Sequence, residues 1–445
     1  MFWTATSIFL VAYAVIISEK IHKTKVALFA AALTLISKVL LQDEAFLDLD
    51  LGVDWNVIFL LISMMIIINI MTKTGVFQYV AIKCAKIAKG EPFRLMALFA
   101  IITAVGSAFL DNVTTVLLLA PVTLLIADLL EINPIPYLIT EVLASNIGGT
   151  ATLIGDPPNI MIASKAGLDF MDFIVHLTPA IIIIFLIWMF VWKMVFGNRL
   201  RVKEELKLRI MTLNENEQIN NPLLLKKSLI VLGFTVVGFM LHGFLHYEPA
   251  TVALMGASTL LLISGEEPQE ILQEVEWPTI FFFIGLFIII GGIVKVGLVA
   301  KMSTAMIAVT NPQPDDMKVL AMVMLWFSAV SSAIVDNIPF VATMNPLLMD
   351  MIHQVYNVPA GEATVEQIQN GAMMPVWWAL ALGACLGGNG SPIGASANVI
   401  IIGLSEKAGH KITFMQFLKY GLPVMILTIF LSMIYLYVRY YILKW

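Results

Sequence analysis

The sequence predicts an all-α protein that crosses a membrane many times and consists of two inverted repeats. The hydrophobic fraction is 59% and the charged fraction is 13%, whereas soluble chains contain about 45–50% apolar and about 25% charged residues. The 445 residues can hold many apolar helices of about 20 residues each. Two polar motifs each occur twice inside the apolar stretches, where ionisable or helix-breaking residues are costly unless they face a cavity.

The first repeated motif is an Asp-Asn pair, at Asp111-Asn112 and again at Asp336-Asn337. Its two copies read SAFLDNV at 107–113 and SAIVDNI at 332–338. We expect each pair at the tip of a re-entrant helical hairpin, where helix-end N–H and C=O groups are exposed. A single Asp-Asn pair could equally be a helix cap in a loop, but repetition in register favours a functional site.

The second repeated motif is rich in glycine and ends four residues before an asparagine, Asn159 or Asn398. Its copies read GGTATLIG at 148–155 and GGNGSPIG at 387–394. Glycine allows the backbone to unwind and proline removes an N–H donor, so we expect each motif to break a helix. Freed carbonyl oxygens can coordinate a cation, and half-helix N-termini favour anionic or polar groups. Close helix packing would also explain the glycines taken alone.

The spacing of the motifs indicates an ancient duplication. The two aspartates lie 225 residues apart and the two asparagines 239 residues apart. We expect a first inverted repeat at 1–196, which contains scaffold helices, a hairpin at 95–127 and a broken helix at 137–165. A cytoplasmic linker follows at 197–227. The second inverted repeat, at 228–445, contains a hairpin at 317–349 and a broken helix at 371–403.

The distribution of basic residues predicts the orientation, because lysine and arginine stay preferentially in the cytoplasm. The basic residues that mark the inner side are Lys20, Lys23 and Lys25 in the first loop, Lys73, Lys83, Lys86, Lys89 and Arg94 before the first hairpin, and those of the linker. Charge alone does not separate a hairpin from two full crossings. Five spans plus a hairpin in each half would insert the second half upside down. We expect a multi-pass protein of the plasma (inner) membrane.

The candidate binding residues are the carboxylates, amides and hydroxyls in and around the motifs. They are Asp111, Asn112, Thr114, Thr115, Asn146, Thr150, Thr152, Asp156, Asn159, Asp336, Asn337, Asn389, Ser391 and Asn398. Asp111 and Asp336 are the candidates for proton coupling, because a carboxylate in a membrane cavity can load and release protons. Asp156 lies outside the repeat, since its counterpart is Ala395.

Enzyme activity is not expected, because no nucleophile, base or metal constellation faces one membrane surface. We expect no catalytic residue, no cofactor and no metal site. His242 and His246 lie four residues apart but have no third ligand nearby in sequence. Cys385 precedes the second glycine-rich motif and could approach the site.

These motifs resemble those of the ion transporter superfamily, in the group that holds arsenite permeases and NhaD-type sodium–proton antiporters. The segments that carry the resemblance are LDNVTT at 110–115, SNIGGT at 145–150 continuing to GDPPN at 155–159, VDNIP at 335–339, and GGNG at 387–390 continuing to AN at 397–398. The resemblance implies a scaffold domain, a transport domain of two hairpins and two broken helices, and often a homodimer with an elevator mechanism. Dicarboxylate carriers of this superfamily have Ser-Asn-Thr at both tips, whereas this chain has Asp-Asn.

The expected function is proton-coupled efflux of arsenite or antimonite, with sodium–proton antiport as the alternative. An organic-anion or dicarboxylate carrier is the least favoured interpretation, because a carboxylate at each tip repels a dianion in a low-dielectric site. The expected partners are the small inorganic solute, protons and membrane lipid, and nucleic acid is not expected. A homodimer and a cytoplasmic ATPase subunit docked on the linker are left open.

Overall fold

The computed structural model describes residues 1–197, 200, 202–359, 362–369 and 371–444. Within these residues it contains 23 α-helices and short 3₁₀ and π segments, and no β-strand. In the described part of the chain, eight helical stretches are long and apolar enough to cross a membrane. The prediction of an all-α polytopic membrane protein is therefore confirmed.

The helices of the first half are α1 Phe2–Ser18, α2 Lys23–Ile36, α3 Gln42–Leu47, α4 Trp55–Thr72, α5 Val76–Ile87, α6 Pro92–Phe109, α7 Asn112–Leu129, α8 Ile135–Gly149, α9 Pro157–Ala166, α10 Phe170–His176 and α11 Thr178–Phe196. A single helix, α12 Glu204–Met211, lies in the linker. The helices of the second half are α13 Pro222–Leu245, α14 Pro249–Ser264, α15 Pro268–Gln273, α16 Trp277–Lys295, α17 Leu298–Thr310, α18 Lys318–Ile334, α19 Asn337–Tyr356, α20 Val365–Gln369, α21 Met374–Gly387, α22 Ser396–Lys407 and α23 Phe414–Leu436.

Local sequence explains where several helices begin. The Asp54 carboxylate accepts a hydrogen bond from the Val57 N–H at 3.2 Å, which caps α4. The Asn221 side chain caps α13 in the same way, through the Leu224 N–H at 3.0 Å. Helix α9 starts with Pro157, whose missing N–H would have no partner in a first turn. Helix α13 begins six residues before the predicted start at 228.

Glycines at matching places divide the two halves in the same way. Gly75 joins α4 to α5, and Gly297 joins α16 to α17. Both have a φ of 79°, in the left-handed region that favours glycine. A long apolar helix is therefore followed by a sharp turn into a shorter helix in each half, as expected for a duplication.

The first helix of each Asp-Asn segment packs closely on the first half of each broken helix. A Cβ built on Gly148 of α8 would lie 2.1 Å from the Ala104 carbonyl oxygen of α6. A Cβ built on Gly387 of α21 would lie 2.6 Å from the Ala329 Cα of α18. Only glycine permits these approaches, so both repeats hold the Asp-Asn segments against the breaks by the same small-residue contact.

Ion pairs at the helix ends join groups that the predicted topology puts on one side of the membrane. The pairs predicted to lie outside are Glu44–Lys295 at 2.5 Å and Asp50–Lys165 at 2.9 Å. Those predicted to lie inside are Lys73–Glu266 at 2.9 Å and Lys86–Glu215 at 2.6 Å. The sidedness and the repeat boundaries stay predictions. Within the predicted linker, Asn198, Arg199 and Arg201 lie outside the described residues.

Candidate transport site

The first Asp-Asn pair lies in the turn between α6 and α7, with Asp111 as the cap of α7. The Asp111 carboxylate accepts from the Thr114 N–H at 2.8 Å and also from the Thr114 hydroxyl. The Thr115 hydroxyl donates to the Asp111 carbonyl oxygen at 2.9 Å. The two threonines therefore shape the tip. Among the described residues, neither lines the cavity discussed below.

The second pair caps α19 but has different partners. The Asp336 carboxylate accepts from the Ile338 N–H at 3.1 Å, which is the cap bond. Its other oxygen accepts from the Lys23 ammonium at 2.7 Å and from the Ser396 hydroxyl at 2.8 Å. Both aspartates are thus helix caps, and Asp336 is in addition one half of an ion pair.

Each helix break is closed by its own asparagine. The Asn159 amide donates to the carbonyl oxygens of Thr150 at 3.2 Å and Thr152 at 2.8 Å. The Asn398 amide donates to the carbonyl oxygens of Gly388 at 2.8 Å and Ser391 at 2.8 Å. Carbonyl groups that the breaks release are therefore partly satisfied by these side chains, as buried backbone groups require.

Hydroxyl groups tie each break to the neighbouring tip. The Thr152 hydroxyl donates to the Ala108 carbonyl oxygen. At the matching place, the Ser391 hydroxyl donates to the Ala333 carbonyl oxygen at 2.5 Å. The Thr150 hydroxyl instead bonds within α8, to the Asn146 carbonyl oxygen at 2.7 Å. Thr152 and Ser391 therefore fix the relative positions of tip and break in both halves.

Asp156 lies between the two tips, although it belongs to the first break only. Its side chain is buried, with 1% of the residue exposed. The Asn112 amide donates to Asp156 at 3.2 Å, and the Asn337 amide lies 3.4 Å from its other carboxylate oxygen. One carboxylate outside the repeat thus bridges the asparagines of both tips.

Asn146 connects the first tip to the second break. Its side-chain oxygen accepts from the Asn112 amide at 3.3 Å. Its own amide donates to the side-chain oxygens of Asn389 at 2.9 Å and Asn398 at 3.1 Å. Asn146 is fully buried, so these bonds form in an environment without competing water.

Cys385 lies 239 residues after Asn146, which is the spacing of the second repeated motif. Its sulfur lies 3.5 Å from the Asn159 side-chain oxygen. This contact mirrors that of Asn146 with Asn398. The cysteine is therefore at the site, in the place that the asparagine takes in the first half.

A cavity of about 420 Å³ lies against these groups. Five of the fourteen predicted residues line it: Asp111, Asn112, Asp156, Asp336 and Asn337. The other nine are not among the lining residues, and three of them, Thr114, Thr115 and Asn146, bond directly to Asp111 or Asn112. Ile17 and Ile21 of the α1–α2 region line the cavity and are exposed, so the cavity opens beside that loop.

Sequence reasoning missed Lys23, Glu19, Glu276 and Ser396, which also line the cavity. In the sequence, Lys23 was used only to assign the first loop to the cytoplasmic side. Lys23 begins α2, a boundary that the sequence did not mark, so no local signal pointed to its partner. Glu19 precedes an apolar helix and gave no distinguishing pattern. Glu276 lies in the VEW segment at 275–277, which repeats VDW at 53–55, and this match indicated the duplication only.

Comparison with known proteins identifies the family. A family profile described as "Citrate transporter" matches residues 13–383. The chain is 44% identical over 439 residues to an uncharacterized transporter of Mycobacterium bovis, covering 99% of both proteins. The chain belongs to the citrate transporter family. This family is part of the ion transporter superfamily, so the resemblance is confirmed at that level, and the chain is a multi-pass membrane transporter.

Further relatives extend this result. The chain is 42% identical over 441 residues to the 46 kDa membrane protein of Mycobacterium leprae, with 99% of each covered. It is 32% identical over 517 residues to the human P protein, covering 99% of this chain and 60% of that protein. The crystal structure of the YdaH transporter of Alcanivorax borkumensis matches with a TM-score of 0.51 at 15% identity, over 87% of this chain and 85% of that one. That similarity shows a shared fold.

Proposed function

We propose that this transporter exports arsenite or antimonite in exchange for protons. The observation that carries the proposal is the cavity lining, in which the carboxylates of Asp111, Asp156 and Asp336 stand beside the amides of Asn112 and Asn337. Carboxylates facing a membrane cavity can take up and release protons. A neutral trihydroxide can donate hydrogen bonds to the carboxylates and accept them from the amides, so its polar groups stay paired.

The same lining argues against a free organic anion. The family description refers to citrate, whose carboxylates would meet three aspartates and a single neighbouring lysine, Lys23. Two like charges about 4 Å apart repel by roughly 4 kcal/mol at an effective dielectric constant of about 20. Free citrate would therefore need several of these carboxyl groups to be protonated before it could enter.

Sodium–proton exchange is the alternative, and the central position of Asp156 favours it. A dehydrated sodium ion needs several oxygen ligands at once. The carbonyl oxygens of both breaks already accept hydrogen bonds from Asn159 and Asn398. The tip amides are engaged as well, since Asn112 and Asn337 both donate to Asp156. A neutral hydroxylated solute can accept hydrogen bonds from these N–H groups when they change partner, whereas a cation is repelled by them.

The opening of the cavity supports alternating access. It lies beside the α1–α2 loop, which the predicted topology puts in the cytoplasm. We propose that this is an inward-open form, and that the tips and breaks move together, elevator-like, relative to α2. A homodimer would be the natural support for such a movement.

The test is a flux assay with purified protein in liposomes, with and without a pH gradient. Arsenite, antimonite, sodium and citrate are offered separately. We expect arsenite or antimonite to move against its gradient when protons flow the other way. The Asp43→Asn variant, at an exposed acid, is the matched control and should behave like the wild type.

Cells that lack their own arsenite exporter provide a second readout. Expression should give tolerance to arsenite or antimonite. Tolerance to sodium or lithium alone would make the alternative correct, and proton-driven citrate movement without metalloid movement would overturn both.

A further inference from the structure

Lys23, Asp336 and Ser396 form a closed triangle of polar contacts. The Lys23 ammonium donates to the Asp336 carboxylate at 2.7 Å and to the Ser396 hydroxyl at 2.7 Å. The Ser396 hydroxyl donates to the same Asp336 oxygen at 2.8 Å. The triangle joins three separate elements, because Lys23 begins α2, Asp336 caps α19 and Ser396 begins α22. It therefore fastens the second tip and the second break to α2.

The two tips differ in this respect. Asp111 corresponds to Asp336 in the repeat, yet its carboxylate is held by Thr114 of its own segment. Among the described residues, Asp336 makes an ion pair at the tip and Asp111 makes none. The duplication alone therefore does not explain Lys23, which singles out one carboxylate of the site.

The surroundings of Lys23 contain an aromatic ring and several acids. The Lys23 ammonium lies 4.9 Å from the centre of the Phe282 ring, at a distance that allows a cation–π contact. The titratable groups that line the same cavity are Glu19, His22, Asp111, Asp156 and Glu276. The acids outnumber the bases around Lys23. Its side chain is 26% exposed and that of Asp336 is 13% exposed, so water screens the pair only partly.

We propose that Lys23 is a tethered counter-ion that prevents the empty carrier from changing form. This inference rests on the proposed proton exchange and assigns one step of it. With the site empty and Asp336 ionised, the Lys23 pair holds the second tip to α2. A solute hydroxyl that donates to Asp336 displaces the ammonium, and the loaded site can then move.

The return step depends on protonation of Asp336. After the solute leaves on the far side, a proton from water binds the Asp336 carboxylate and gives the neutral acid. On the far side the site has left Lys23, so an ionised Asp336 would have to return as a bare charge, which is costly inside a membrane, whereas the neutral acid can return. The proton then leaves to water on the near side, and the ion pair forms again. Lys23 thus couples one proton to each solute, because it blocks the outward movement of the empty site.

One experiment measures coupling directly. Protons and arsenite are followed together in liposomes that contain the wild type, Lys23→Met or Lys23→Arg, with sodium as the probe if arsenite does not move. If empty and loaded outward movements become equally frequent in Lys23→Met, half of the proton-loaded returns no longer follow solute export, so the ratio of protons to solute rises to about twice the wild-type value. Lys23→Arg keeps the charge and should keep the ratio. An unchanged ratio in Lys23→Met, with solute flux intact, would overturn the proposal.

A second measurement does not depend on the solute. Spin labels at Leu28→Cys in α2 and Val399→Cys in α22 report the distance between these helices, since both positions are exposed and Cys84 and Cys385 are buried. We expect a single distance at alkaline pH in the wild type, and a second, longer distance in Lys23→Met and in the wild type at acidic pH. Identical distance distributions in the wild type and Lys23→Met at alkaline pH would refute the proposed role of Lys23.

The two measurements separate the outcomes. A wild type that moves none of the four solutes would contradict the proposed function. The spin-label distances would still show whether the Lys23–Asp336 pair holds the second tip to α2. If Lys23→Met does not insert, Ser396→Ala removes one corner of the triangle without a change of charge. It should raise the proton-to-solute ratio and add the longer distance, both to a smaller extent, and no effect on either would count against the proposal.

Discussion

Replacement of Asn146 by alanine should destabilise the fold strongly, because this side chain joins the two halves. It makes three buried hydrogen bonds, to Asn112 at 3.3 Å, Asn389 at 2.9 Å and Asn398 at 3.1 Å. Side-chain hydrogen bonds within membrane proteins contribute about 0.6 kcal/mol on average and up to about 1.7 kcal/mol. Three of them give about 2–5 kcal/mol, and the buried oxygens of Asn389 and Asn398 lose a donor as well.

The matched control is Thr103→Val. Thr103 is also fully buried, but its hydroxyl donates within α6, to the Phe99 carbonyl oxygen at 2.6 Å. The free energy of unfolding is measured by reversible denaturation in mixed detergent micelles. We expect a loss of about 2–5 kcal/mol for Asn146→Ala and less than about 1 kcal/mol for Thr103→Val. Equal losses in the two variants would refute the idea that Asn146 holds the halves together.

Two other substitutions probe the site and its packing. Asp156→Asn turns an NH₂ donor towards the tip amides, which are donors themselves. Solute flux in liposomes should therefore fall at least about tenfold while the protein still inserts. Flux at the wild-type level would show that Asp156 is dispensable. Gly148→Ala places a methyl group 2.1 Å from the Ala104 carbonyl oxygen and should lower the free energy of unfolding by about 1–3 kcal/mol. Gly403→Ala meets no atom within 4 Å and replaces a glycine inside α22, so that free energy should stay unchanged or rise by up to about 1 kcal/mol. Equal effects of the two alanines would contradict the packing described.

Internal repetition made much of this fold accessible from the sequence. The offsets of 225 and 239 residues aligned the tips and the breaks before any contact was known. The structure repeats the corresponding contacts, as when Asn159 and Asn398 each close their own break. Extending the same offset from Asn146 would also have drawn Cys385 into the site.

The features that break the repeat could not be derived in this way. Asp156 has no acidic counterpart, and its position between the tips depends on how the halves pack in three dimensions. Lys23 reaches a residue 313 positions away, and no local pattern encodes so distant a pairing. Both residues line the cavity, so the repeat by itself predicts the architecture and not the solute.

The most direct test of the account is pH-gradient-driven flux by the double variant Asp111→Asn, Asp336→Asn. Both substitutions keep the size of the side chain and remove the carboxylates that we assign to proton coupling. We expect the double variant to show no proton-driven movement of the solute that the wild type carries, although the same amount of protein is inserted. Flux in Asp43→Asn should be normal. Full proton-driven flux in the double variant would contradict this expectation.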